Sequence, residues 1–247
     1  MEMLPEIERF GWTIEAATTL EELWVVMLDI TLQLGFQYFA LIHHVDYPRL
    51  IGKTFRLHNY PQGWADYFEA HHHARRDPIH RATYMTNTGF PWAEARNLIS
   101  MSASDTLHMT RAYAFGIEDG FTIPANIPGE TRGSCSFAVG DGRPLPYRAF
   151  AAAQWLGSKA FRRAREILRL RDFGTTPPIL TERQLECLLL LAQGKTAEEI
   201  AMILGRGKET VVTQLKQARA LYGVYEKTSL VIHALNNGTL CLGEITP

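Results

Sequence analysis

Two threonines in the C-terminal quarter of the chain constrain its architecture more than any other feature. Thr181 stands three residues before Gln184, and Thr196 three before Glu199, each just ahead of an apolar-periodic run. At that spacing the threonine hydroxyl accepts from the third helical N–H and the Gln or Glu side chain reaches back, so each pair marks a helix start. Leu185, Leu188, Leu189 and Leu191 are the expected buried face of the first helix, Gly194 its stop, and Ile200 and Leu204 the anchors of the second. After Gly205-Arg206-Gly207 a third helix is predicted from Lys208 to about Leu221, with Val211, Leu215, Ala218 and Leu221 or Tyr222 turned inward. Three short helices joined by tight turns are the layout of a helix-turn-helix, whose last helix lies in a DNA major groove.

On that reading Lys208, Glu209, Val212, Thr213, Lys216 and Gln217 lie outward, toward base edges and phosphates. Lys208 and Lys216 suit phosphate or guanine, Thr213 and Gln217 bases or backbone. From Leu180 onward there are seven basic and seven acidic residues, so this unit is electrically neutral. Phosphate neutralisation supplies most non-specific affinity, and a neutral monomeric reader binds weakly. Two readers on an inverted-repeat operator would double the contacts. Glu226 to Leu235, with Leu230, Val231, Ala234 and Leu235 on one side, is either a dimer helix or the fourth helix of the small core.

The 247 residues leave room for a second domain ahead of the reader. Thr19 and Glu22 open a helix that Gly35 stops; Phe36 to His44 reads as a strand, a second strand ends at Tyr60-Pro61, and Trp64 to His73 reads as helical. Phe121-Pro124 and Ser134-Val139 read as strands about a turn at 126–129, and Pro146 to Leu170 as a long helix that becomes basic. Gly174, Pro177 and Pro178 cannot continue it. The expected division is a sensing domain over 1–171, a linker over 172–179 and a DNA-binding domain over 180–247. The three cysteines form no CxxC pair, no apolar run is long enough to span a membrane, and Met1 is followed by acidic residues, which together predict a cytoplasmic protein with no membrane partner and no zinc site.

Taken with that reader, Tyr60-x3-Trp64-x12-Asp77-Pro78, Pro91-Trp92 and Gly116-x3-Gly120-x3-Pro124 resemble the LuxR-type quorum-sensing transcriptional regulators across nearly the whole chain. The resemblance implies an α+β protein: an N-terminal α/β/α sandwich with an antiparallel sheet, plus a C-terminal all-α helix-turn-helix domain. It implies an N-acyl-homoserine lactone autoinducer as signal ligand, with no other cofactor. It also implies a homodimer on a palindromic double-stranded DNA element, with RNA polymerase as a further partner. Carried over by position, the Trp64 indole N–H would donate to the lactone carbonyl and the Tyr60 hydroxyl to the amide carbonyl. Asp77 would accept from the amide N–H, Ser136 would be a further partner, and Trp92 would wall the ring. Phe39, Leu41, Ile42 and Phe68 are the expected tail contacts, while Gly116 and Gly120 serve the backbone. Trp12, Trp24 and Trp155 are assigned to the core.

Some positions depart from the family pattern. Phe68 stands where Tyr is common, Gln184 replaces the usual Glu, Gly207 the usual Ser at the third-helix cap, and Gln214 a frequent His. His71-His72-His73 on a helix would point about 100° apart and share no ion. The chain lacks a Gly-x-Ser-x-Gly elbow, a phosphate loop and a dinucleotide fingerprint, so no enzyme is expected. Two other inputs are compatible with the same reader: a solo receptor for a non-lactone or host signal, and a receiver domain controlled by phosphorylation. The second needs alternating βα units, and the N-terminus begins with helices.

Overall fold

The computed structural model describes residues 3–45, 54–71, 73–127, 130–169 and 178–245. They form two compact units. Most of the expected linker, 172–177, lies outside the described residues, as does His72.

In the first unit, α1 (Met3–Ala16) and α2 (Leu20–Gln33) precede β1 (Tyr38–His43) and the short β2 (Arg56–His58). Thr19 caps α2 through the Glu22 N–H. The Glu22 carboxylate answers to Thr18 rather than Thr19, at 2.6 Å from its N and 2.9 Å from its Oγ1. Then come α3 (Gln62–Ala70), α4 (Pro78–Ala82), β3 (Phe90–Pro91), α5 (Ala95–Leu98), α6 (Ala103–Ala114), β4 (Asp119–Ala125), β5 (Gly133–Val139) and α7 (Phe150–Ile167). The expected 64–73 helix is shorter at its C-terminal end, because His71 leaves the helical backbone and His73 starts a 3₁₀ turn.

The five strands lie in the order β2-β1-β5-β4-β3, every pair antiparallel. No βα alternation of a receiver domain is present among the described residues. Strand side chains alternate between faces, and here each face has its own cover. Phe39 and Leu41 of β1 join Phe137, Phe161, Leu156 and the apolar sides of α1, α2 and α7 in the main core. Phe39 and Leu41 are fully buried there, which corrects their assignment to the ligand tail. The period of two that places Ile42 on one face places them on the other. The opposite face carries Ala138 beneath Trp64, Phe68, Ala112 and Ile117. Helices on both faces of one antiparallel sheet make the α/β/α sandwich.

Of the tryptophans assigned to the core, Trp24 is half-buried and donates to the His58 carbonyl at 2.9 Å. Trp12 and Trp155 are not core residues: they are 67% and 43% exposed. Trp155 lies over Gly11, where a Cβ would come within 2.4 Å of its ring, and under the Lys159 ammonium at 4.8 Å. Its indole thus covers the α1–α7 seam from outside.

The second unit comprises α8 (Glu182–Ala192), α9 (Ala197–Leu204), α10 (Lys208–Leu221), α11 (Lys227–Asn236) and α12 (Leu242–Ile245). Both capping boxes are complete. Each threonine cap contributes about 1 kcal/mol over alanine. Leu185 is 38% exposed and does not face the core; Gln184, Cys187 and Leu188 share the buried side, since Leu185 falls a 100° step away. In α11, Leu230 and Ala234 are buried with Val231 and Leu235 packed beside them. The face considered for dimerisation is therefore the fourth-helix face of the small core.

Candidate functional site

The face of the sheet under α3, α4 and α6 holds a cavity. Strand register aligns the sheet beneath it in three rungs, of which Ala40, Ile42, Arg56, His58 and Ser136 line the cavity. The first is Tyr38, Ala138 and Gly120; the second His58, Ala40, Ser136 and Thr122; the third Arg56, Ile42, Ser134 and Pro124. Of the sequence-predicted residues, Tyr60, Trp64, Phe68, Asp77, Trp92, Ser136 and Ile42 line the cavity. Phe39 and Leu41 do not.

Asp77 is placed by the helix it starts. With Pro78 at the first helical position, Asp77 caps α4, its Oδ1 accepting from Ile79 N at 2.7 Å and His80 N at 3.0 Å. Its Oδ2 lies 3.0 Å from His108 Nε2. Burial alone would raise the carboxyl pKa. The charge of His80, the bond and charge of His108 and the backbone N–H outweigh it, holding the group below the ordinary carboxylate range. Three partners leave this ionised carboxylate with lone-pair capacity for one further donor.

Trp64 is fixed by rings on several sides: Tyr67, Phe68, His108 and Phe115, with centroids 5.1 to 5.9 Å away. The Tyr60 hydroxyl is held protonated, its pKa raised by burial first and then by the Asp77 charge. It is therefore a donor at neutral pH. Trp92 lies flat over Gly120, where a Cβ would meet Cε2 of the indole at 2.5 Å. Gly120 thus serves ring approach, while Gly116, at φ +80°, serves a turn. The Trp92 N–H is already spent on Thr122 Oγ1 at 2.8 Å. The cavity thus brings donors (Tyr60, Trp64) and an ionised acceptor (Asp77) together beside apolar side chains.

Sequence reasoning did not find Ala40, Arg56, His58, Ile79, His80, His108, Met109, Ala112 and Ile117 in this wall. A signal for two of them was present: Asp105, His108 and Ala112 are the buried residues of α6 at helical spacing. Arg56 and His58 gave none, because a three-residue strand shows too little alternation to set its facing.

On α10, Val211, Leu215 and Ala218 are buried, and Lys208, Glu209, Val212, Thr213, Lys216 and Gln217 are all exposed on the outer side. Lys208 pairs with Glu198 of α9 at 2.5 Å. Gln184, whose Oε1 completes the first capping box, donates from Nε2 to Gln217 Oε1 at 3.4 Å.

Residues 19–164 match the autoinducer binding domain family, and residues 178–234 the luxR family of bacterial regulatory proteins. The chain belongs to the LuxR family. Like other LuxR-type regulators it joins a signal-binding domain to a helix-turn-helix DNA-binding domain. It is 26% identical over 218 residues to the transcriptional activator AhyR of Aeromonas hydrophila, covering 85% of this chain and 82% of AhyR. The quorum sensing-dependent transcriptional regulator RpaR of Rhodopseudomonas palustris is 30% identical over 184 residues, 74% of each chain. The crystal structure of Escherichia coli SdiA shares the fold, with a TM-score of 0.59 at 24% identity over the full length of both chains.

Proposed function

We propose that this LuxR-family regulator senses an N-acyl-homoserine lactone in the cavity between sheet and helices, and in response binds an inverted-repeat DNA element as a homodimer in the cytoplasm, acting on RNA polymerase. The observation that carries the reading is the convergence of Tyr60, Trp64, Asp77, Trp92 and Ser136, residues up to 76 positions apart in sequence, on one cavity. Trp64 would donate to the lactone carbonyl, Tyr60 to the amide carbonyl, and the free capacity of Asp77 would take the amide N–H. Ligand that binds only the folded state stabilises it by mass action, which links signal to fold. The test is expression of the full chain in cells supplied with a panel of lactones, followed by mass spectrometry of the organic extract of purified protein. One retained lactone with higher soluble yield is expected. Folded protein that retains none would replace the lactone with another small-molecule signal.

A further inference from the structure

The cavity floor has two chemically different ends. Trp92 sits over the Gly120 rung, and the Arg56–Ile42 rung lies four residues further along the strands, about 13 Å away. If the ring and amide of a lactone signal occupy the Trp64, Trp92, Tyr60 and Asp77 end, as in the function proposed above, its tail runs over Ala40 toward Arg56, His58, Phe68 and His80. A hydrocarbon slot would be aliphatic there. This corner holds a guanidinium and two imidazoles.

Their hydrogen-bonding state is readable. His58 Nδ1 is buried without a partner. Burial, and then the Arg56 charge, lower the His58 pKa, so the ring is neutral at pH 7. His80 Nδ1 lies 2.8 Å from the Ala74 carbonyl, which can only accept, so Nδ1 carries a proton and Nε2 is the nitrogen left for the cavity. Arg56 pairs with Glu69 and lies over the Phe68 ring at 5.7 Å. The corner therefore offers the Arg56 donor, its charge balanced by Glu69, and the unpartnered nitrogen of His58, which disfavours a carboxylate and suits a group that both donates and accepts. We propose that this corner reads an uncharged hydroxyl at the far end of the signal's tail. The hydroxyl donates to an imidazole nitrogen and accepts from Arg56; a plain alkyl end leaves the His58 nitrogen buried and unpaired. His58 and Ser136 flank Ala40 on the same rung, so the hydroxyl lies about two strand spacings, about 10 Å, from Ser136.

The same chemistry is carried by a hydroxyalkyl chain or a hydroxyaryl ring. The test titrates purified full-length protein with four homoserine lactones: an alkyl tail, its ω-hydroxy counterpart, a phenyl-ended tail and its hydroxyphenyl counterpart. At least one hydroxyl compound binds about 10-fold or more tighter than its deoxy partner, and the pair that shows it distinguishes chain from ring. The preference shrinks in His58→Phe, which keeps a ring in place. Equal binding of both members in both pairs overturns the tail assignment and leaves the lactone reading standing. Binding of none of the four overturns both.

Discussion

Trp92 and Ser136 are joined through one hydroxyl. The Trp92 indole N–H donates to Thr122 Oγ1 at 2.8 Å, and that hydroxyl lies 2.8 Å from Ser136 Oγ. Thr122 is fully buried and does not line the cavity. An oxygen that accepts from Trp92 is free to pass its own proton to Ser136, which leaves the Ser136 proton for the cavity. Such chains strengthen each member.

Thr122→Val keeps the shape and removes the link. It should destabilise the N-terminal unit by about 1–3 kcal/mol, since a buried N–H loses its acceptor. Thr122→Ser should recover most of the loss. Urea unfolding of both variants checks this; equal stability of Val and Ser would remove the relay.

Phe39→Ala and Leu41→Ala should each cost about 2–5 kcal/mol through cavity formation in the main core. Neither should change the ranking of ligands. Ile42→Ala should shift that ranking with a smaller loss of stability. Thermal melts with and without ligand separate the two faces of β1.

Acid should unfold the sensing domain in two stages. His44 is buried, its pKa lowered well below the ordinary histidine value mainly by burial, and His73 is lowered to about 4 by burial and then by the His108 charge. A histidine kept neutral by the fold contributes full stability above its unfolded pKa of about 6.5 and loses it as pH falls toward the folded value. Asp77, lowered in the fold, contributes above an unfolded pKa of about 3.9 and loses it below. The expected Tm therefore declines from about pH 6.5 to about pH 4 and falls further beneath. His44→Gln should flatten the upper stage in a pH series of melts.

In the DNA reader, Lys216→Ala should weaken DNA binding and reduce the slope of log affinity against log salt by about 1. Glu198→Gln should strengthen binding, because it releases exposed Lys208 from its carboxylate partner and removes a negative charge. Fluorescence anisotropy across a salt series reads both. A lower affinity in Glu198→Gln would place Lys208 away from the phosphates.

Gly207 caps α10 with extended backbone, φ −73° and ψ 144°, and no side-chain bond. The nearest atom to a Cβ there is Thr210 Oγ1 at 3.8 Å. Gly207→Ser should raise the stability of the C-terminal unit by a few tenths of a kcal/mol. Differential scanning calorimetry would detect it as a raised transition.

The features legible in the sequence were those set by local rules. The capping boxes at Thr181 and Thr196, the stop at Gly194, which takes φ +84°, and the inward stripe of α10 are all decided within a few residues. The lining by Trp64 and Asp77 came from family spacing, because nothing local separates Asp77 from an ordinary cap, which it also is. What sequence did not give depends on which sheet face a strand turns to which helix. Phe39 and Ile42 are chemically alike, and only the pairing with β5 sets them apart. Thr122 lay beyond reach for the same reason, being joined to Trp92 across 30 residues and to Ser136 across 14.

Asp77 starts α4 with one oxygen, meets His108 with the other, and lines the cavity. That double use divides the pocket into a conservative half and a permissive one. A replacement at Asp77 that removes its side-chain acceptor also uncaps the helix carrying His80 and Ile79, so on the function proposed above the headgroup end resists gradual change. Ala40, Ile42 and His58 lie in strands and start no helix. If the proposed ligand placement holds, lineages of this regulator can drift in tail preference one substitution at a time along the β2 side while the Asp77 end stays as it is.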